Sequence, residues 1–364
     1  MNAKTGVVKC DSYDSAKLYT AIKTAAEAAG IPDVKGKKVL LKPNILSDVP
    51  PEKAVTTHPL FLDAVIRLVK EWGASHIYAG DSPGLHGPKF TPRACGIWDV
   101  LQKNGVEWVD FTHGKTELEN PAAKVLRRVS VTRILEDVDF VINIPKLKNH
   151  QFMLFTGAIK NMFGIVPSLA KSPFHVRFQS REAFAAMLVD LNLSIKQPMY
   201  TFMDAVVGME GPGPGSGTPK QVGVVLASPN TLAVDIAASS IIGYPAHLIP
   251  SNKEALSRKH WLKDIGEIEY PLLKPEDVKV SDYKKIPFKR QNNNFFGKLF
   301  RKKTPVPQIQ KDMCKLCGDC VRICASGAIK ITGDNKSKYV EINSKSCICC
   351  YCCHEVCPAK AILV

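Results

Sequence analysis

Residues 347–358 read CICCYCCHEVCP, with six cysteines in the eleven positions before the proline. Thiols at this density suit metal binding, and the spacing says which ones take part. One register runs unbroken through Cys347, Cys350, Cys353 and Cys357 to Pro358, the C-x2-C-x2-C-x3-C-P run that holds 4Fe–4S cubes. A start at Cys349 reaches Cys352 and then Glu355, so Cys349 and Cys352 are expected to be bystanders. The stretch has a twin 33 residues earlier, in which Cys314, Cys317, Cys320 and Cys324 repeat the spacing. Such an internal repeat means two copies of one small unit.

Three thiolates from one short loop cap three corners of a cube, and the fourth ligand comes from the other repeat. The expected sets are Cys314, Cys317, Cys320 and Cys357 for one 4Fe–4S cluster, and Cys347, Cys350, Cys353 and Cys324 for the second. Eight cysteines in duplicated register argue against a zinc site or a disulfide framework. Ala325 stands where the second run has Pro358, which loosens a turn and removes no ligand. Cys10 and Cys95 lie outside the repeat and read as ordinary half-buried thiols.

Clusters need a protein to position them, and 364 residues suffice for a large domain and a small one. The amino terminus shows no signal pattern, and no run approaches the roughly 18 apolar residues of a membrane span. Thiolate-bound iron favours a reducing cytoplasm, with an anaerobic metabolism the natural setting. The net charge of +15 is unevenly spread. Residues 284–303 hold eight basic and no acidic residues and residues 305–364 a net +3, leaving only +4 elsewhere. A nucleic-acid face shows a distributed basic stripe, so that function is not expected.

Along residues 1–282 apolar strands alternate with amphipathic helices. KKVLLKP, SHIYAG, VEWVDF, VDFVINIP, PMYTFMDAVVG and PKQVGVVLAS read as strands. YDSAKLYTAIKTAAEAAG, THPLFLDAVIRLVKEWG, REAFAAMLVDLNLSIK and NTLAVDIAASSIIG read as helices between them. The expected fold is α/β, with a mostly parallel sheet and flanking helices. Residues 283–307 read as a basic linker, and residues 308–364 as a small α+β dicluster ferredoxin-like domain. Within the linker, Phe295, Phe296, Leu299 and Phe300 interleave with Lys298, Arg301, Lys302 and Lys303. A basic amphipathic helix there could touch an anionic membrane, although packing on its own domain or on a partner is favoured.

Ligands of open α/β sheets bind beyond the carboxyl ends of the strands. Here those ends carry Lys42 and Asn44, Asp81 and Ser82, and Lys146, Lys148, Asn149 and His150. A further strand carries Asp204 and Glu210 into GMEGPGPGSGT, whose Gly211 and Gly213 could let backbone N–H groups cradle an anion. Lys160 and Asn161 follow in TGAIKNMFG. Any one such group could be turn chemistry, whereas four on one edge point to a pocket. Lys42, Lys146, Lys148 and Lys160 would suit a phosphate or carboxylate ligand, with His150 or His58 as proton donor. Asp204 and Asp235 could instead hold lysines in place, and His175 reads as a loop residue.

Together LLKPN, THP, INIPKLKNH, TGAIKNMFG, DAVVGMEGPGP and AVDIAASSIIG resemble an uncharacterised "domain of unknown function" family of iron–sulfur cluster-binding proteins. The resemblance covers the chain apart from the basic linker, and it implies a fused dicluster ferredoxin domain. More distantly, the strand-end loops resemble the lactate racemase family, which holds a nickel pincer cofactor. No flavin or nicotinamide fingerprint is present, so an additional organic cofactor is left open. The expected activity is relay of single electrons between two clusters and an anionic small molecule at the strand ends. The alternative is a non-enzymatic carrier that docks a redox partner protein.

Overall fold

The computed structural model describes residues 3–83, 90–287, 305–334 and 337–364, without the side chains of residues 168 and 169. The amphipathic reading of residues 295–303 therefore lies outside the described residues.

Strand β2 (Lys38–Pro43) and strand β7 (Phe140–Ile144) are apolar on both faces because they run through the middle of the molecule. They pair in parallel with each other, β2 with β3 (His76–Asp81), and β3 with β4 (Glu107–Asp110). On the other side β7 pairs in parallel with β10 (Met199–Glu210), which folds back as a hairpin onto β11 (Thr218–Ser228). Strand β1 (Gly6–Lys9) closes that edge antiparallel to β11. The order β1-β11-β10-β7-β2-β3-β4 places the carboxyl ends of β2, β3 and β7 on one side.

Side chains alternate through this sheet with period two. Val39, Leu41, Phe140 and Ile142 pack beneath helices α1 (Ser15–Ala29) and α2 (Pro59–Glu71). Leu40 and Val141 face the opposite layer, with α7 (Arg181–Ser194) and α8 (Thr231–Ile241). Helix α1 starts where Asp14 accepts a hydrogen bond from the Lys17 N–H, and it ends at Gly30 with φ 97°. Tyr283 and Ile286 are buried against α8 and β11, so packing of this domain runs to Ile286.

Strand β8 (Lys146–His150) follows β7 after one proline and pairs with the second half of β10. A break in the β10 register between Ala205 and Val207 lets that long strand bend from β7 towards β8. Beyond β8 come β9 (Leu154–Thr156), α5 (Ala158–Asn161) and α6 (Ser172–Arg177).

The carboxyl-terminal module has two antiparallel pairs, β12 (Gln308–Ile309) with β15 (Ile362–Leu363) and β13 (Ile329–Thr332) with β14 (Tyr339–Ile342). Its two short helices span Asp319–Ile323 and Cys352–Val356. The 33-residue repeat recurs in its backbone. Leu316 and Cys349 have φ of 54° and 52°, Gly318 and Tyr351 have 81° and 64°, and Gly327 and Lys360 have 64° and 53°. Left-handed backbone at non-glycine residues is unfavourable, so its recurrence at the same offset marks one loop built twice. Among the described residues no helix is long and apolar enough to cross a membrane.

Candidate metal centre and interdomain polar site

Each cysteine run winds through left-handed turns. Cys314, Cys317, Cys320 and Cys357 line one small cavity together with Ile309 and Val340. Cys353 lies in the electrostatic field of Cys350, Cys347 and Cys324, with the last again from the other repeat. The fourth cysteines match in detail. Cys324 Sγ accepts the Ala328 N–H at 3.2 Å, and Cys357 Sγ accepts the Ala361 N–H at 3.3 Å. Such N–H···S bonds stabilise a thiolate ligand. The turn after Ala325 keeps the geometry of the turn after Pro358, since Gly327 and Lys360 both close it with positive φ.

Among the described residues the one group of three ligand atoms within 4.8 Å of one another is His175, Cys350 and Cys352. The sulfurs of the two four-cysteine groups therefore stand further apart than one zinc ion, bound at about 2.3 Å, would hold them. A donor set of sulfurs spread about a cavity fits a cube. Cys349 sits on the left-handed turn that Leu316 occupies in the other copy.

The strand-end residues separate into two polar groups. In the first, Lys146 Nζ donates to Asp204 Oδ2 and to Tyr13 Oη, both at 2.8 Å. The Tyr13 hydroxyl donates to Asp204 Oδ1, and the His58 N–H donates to Oδ2 at 2.9 Å. The His58 ring stacks on Tyr13 at 3.6 Å, and its Nδ1 caps α2 by accepting the Leu60 N–H. Burial holds His58 down at about 4, against the pull of Asp204. Lys146 is thus committed to a carboxylate.

The second group lies under the second cysteine run. Lys42 Nζ pairs with Asp81 Oδ1 at 2.8 Å, and Asp81 Oδ2 accepts the Ile45 N–H. Asn161 bridges Lys42, Asn44 and Asn143 through its amide. Lys148 Nζ donates to Asn44 Oδ1 at 2.8 Å and to Val55 O at 2.7 Å. Among the described residues it has no carboxylate of its own, and burial lowers it to about 7 with help from Lys160. Lys171 donates to Ser82 O and is lowered by burial to about 8. Half-buried Lys160 stands in the field of Glu355 and Cys352 and is lowered by burial.

His150 is completely buried. Its Nδ1 accepts the N–H groups of Phe152 and Met153, so in the neutral ring the proton sits on Nε2. That atom lies 3.3 Å from Glu355 Oε1 of the cysteine-rich module. The pair is close but poorly aligned, and both atoms remain without a hydrogen bond among the described residues. Burial pushes His150 well below the ordinary histidine range and raises Glu355. The module is further docked by His354, whose Nε2 lies 3.0 Å from Pro212 O.

Other expected site residues are occupied structurally. Asn149 donates to Gly211 O and to Lys284 O, and Glu210 accepts the Lys284 N–H. The Gly211 and Gly213 N–H groups are taken by Lys284 O and Gly211 O. A Cβ at Gly213 would overlap the Asn149 carbonyl, so its glycine permits a close approach of backbone to backbone. Asp235 holds no lysine among the described residues; its carboxylate accepts the Ala158 and Ile159 N–H groups at the start of α5. His175 lies within helix α6 and is buried, which corrects the expectation of a loop. Glu355, Lys171 and Tyr13 were not singled out from sequence, and only the failed second cysteine register drew attention to Glu355.

Gly164 also reports on the second group. A Cβ there would overlap Asp81 Oδ1 and the end of Lys42. Gly164→Ala is expected to break the buried pair and cost about 3 kcal/mol. Chemical denaturation of the holo-protein would measure it.

A groove of about 880 Å³ lies elsewhere, between β1, α1 and residues 278–280, and includes Cys10. It is open to solvent, and none of its lining side chains is a buried polar group without a partner. Cys10 and Cys95 are both buried, and burial raises both thiols.

An α/β domain with buried strand-end lysines, joined to an iron–sulfur module, is the class of protein these features define. The chain belongs to the family described as "Domain of unknown function (DUF362)", whose model matches residues 39–240. The description "4Fe-4S binding domain" matches residues 306–329, the stretch containing the first cysteine run. A thylakoid-associated protein of Synechocystis is 31% identical over 288 residues, covering 78% of this chain and 88% of that protein. Among solved structures, a Thermotoga maritima structural-genomics protein aligns with TM-score 0.40 and 15% identity over 70% of this chain. The lactate racemase apoprotein of Thermoanaerobacterium thermosaccharolyticum aligns with TM-score 0.44 and 12% identity over 66%. The chain spans 61% and 57% of those two solved chains.

Proposed function

We propose that the chain relays single electrons through two 4Fe–4S clusters to or from an anionic ligand at the strand ends of residues 1–282. Bound clusters supply reversible one-electron transfer. The observation that carries the reading is a charge imbalance under the second cysteine run. Lys42, Lys148, Lys160 and Lys171 lie within electrostatic reach of one another, and among the described residues Asp81 and Glu355 are the carboxylates that act on them. Buried cations short of counter-charge are costly, so the site favours incoming negative charge. Lys148 and Lys160 hold that charge, and His150 presents its Nε2–H beside Glu355. In this reading His58 supports α2 and Lys146 rather than the ligand.

Phosphate and acetate serve as probe anions in the test. In the anaerobic holo-protein, the double variant K148A/K160A is expected to weaken binding of one or both at least tenfold, as read by calorimetry. Unchanged affinity overturns the ligand site. A shifted cluster potential with unchanged anion affinity also overturns it, because the lysines would then serve the cluster alone. Metal analysis and the absorption spectrum of the same preparation count the irons and reveal any flavin.

A second reading, a carrier that docks a redox partner, is supported by a groove of about 470 Å³ between the two domains. Arg177, Arg322, Val176 and Ile323 line it, next to Cys324. It predicts turnover only with the partner present, which co-purifies at low salt. In either reading the protein is cytoplasmic, and packing of the basic linker on its own domain or a partner is favoured over peripheral membrane contact.

A further inference from the structure

Helix α6 carries a histidine whose surroundings do not explain it. His175 packs face to face on Phe184, with ring centroids 4.5 Å apart, and edge-on to Phe152 at 5.9 Å. A phenylalanine or leucine would fill this aromatic pocket without bringing in nitrogen. Yet His175 is only 7% exposed, and its Nδ1 has no hydrogen-bond partner among the described residues. A buried polar atom left unpaired is destabilising, so a retained one calls for a partner.

Two sulfurs lie close to the ring. A ring nitrogen of His175, Cys350 Sγ and Cys352 Sγ all lie within 4.8 Å of one another. Cys350 belongs to the unbroken register, and Cys352 does not. Cys350 is therefore the negative sulfur, and a thiolate bound to iron is a good acceptor for an N–H. His175 comes from the α/β domain and Cys350 from the module, so the contact crosses the domain boundary.

We propose that His175 is a positioning residue of the second cluster, donating an N–H hydrogen bond to Cys350 Sγ and thereby raising the potential of that cluster alone. Reduction adds one electron, whose charge spreads onto the ligand sulfurs, and an N–H donor stabilises the reduced form more than the oxidised one. The inference goes beyond the relay reading, because it needs a cluster at Cys350 and no ligand at the lysines. A second metal ion at the trio is disfavoured, because Lys160 stands beside Cys352.

The test is an EPR-monitored redox titration of full-length, anaerobically reconstituted protein. His175→Phe keeps the ring packing and removes the donor, whereas His175→Gln keeps an N–H. His175→Phe is expected to disfavour reduction of one cluster about tenfold, a downward shift of about 59 mV for one electron. His175→Gln should recover part of that shift, and the other cluster should not move. Equal potentials in His175→Phe and the unsubstituted protein overturn the proposal. So does a fall in iron content in His175→Phe, which would make the histidine a ligand rather than a donor.

Discussion

Replacing Cys357 by alanine is expected to empty the cluster built on the other run, that of Cys314, Cys317 and Cys320. Cys320 has Cys317, Cys314 and Cys357 as its charged neighbours, and all four line one cavity. Iron should fall from about eight to about four per chain, as for the loss of one cube of two. Pairwise substitution makes the crosswise assignment testable, because losses at one site do not add. Cys357→Ala with Cys314→Ala should still leave about four irons, whereas Cys357→Ala with Cys347→Ala should leave almost none. The reverse pattern would show each run closing its own cluster. Cys349→Ala and Cys352→Ala should retain full iron. The effect reaches stability too, since the core of the module is cysteine-rich, with Cys320, Cys352 and Cys353 beside Ile323, Ile329, Val340 and Ile362. So small a core depends on its metal for folding, and chelation should melt the module before the α/β domain.

The second large effect is expected at Asp204. Its carboxylate is fully buried and receives Lys146 Nζ, the Tyr13 hydroxyl and the His58 N–H. Asp204→Ala leaves an ammonium in the interior with no counter-charge, a change that costs about 3–5 kcal/mol. Urea denaturation followed through the α/β transition should show a loss of that size. Adding Lys146→Met should recover most of it, because the charge that needed compensation is gone. A loss below about 1 kcal/mol in Asp204→Ala, typical of exposed pairs, would mean that water reaches the group.

The lysines show how much of the site was legible. Their positions after apolar strands were readable, because a parallel sheet sends successive strands to one edge and local hydropathy marks where each ends. Their division was not. Lys42 and Lys146 end on carboxylates contributed by β3 and β10, while Lys148 ends on an amide and a carbonyl. No local spacing carries that distinction. The glycine-rich loop makes the same point from the other side. Its composition suits anion binding, yet the N–H groups of Gly211 and Gly213 are taken by Lys284 and by the loop itself. His175 read as a loop residue because α6 is only six residues long and too short for a periodic signal.

By itself the sequence determined the metal chemistry and the layer architecture, because both are written in short-range spacing. Cysteines three and four positions apart share one short run, and strands and helices declare themselves by periods of two and 3.6 residues. Only the tertiary structure decided that β8, whose KLKNH is polar at four of five positions, is buried throughout. A strand takes its environment from what covers it. Here β10 and the docked module close over polar side chains that sequence alone would leave in water.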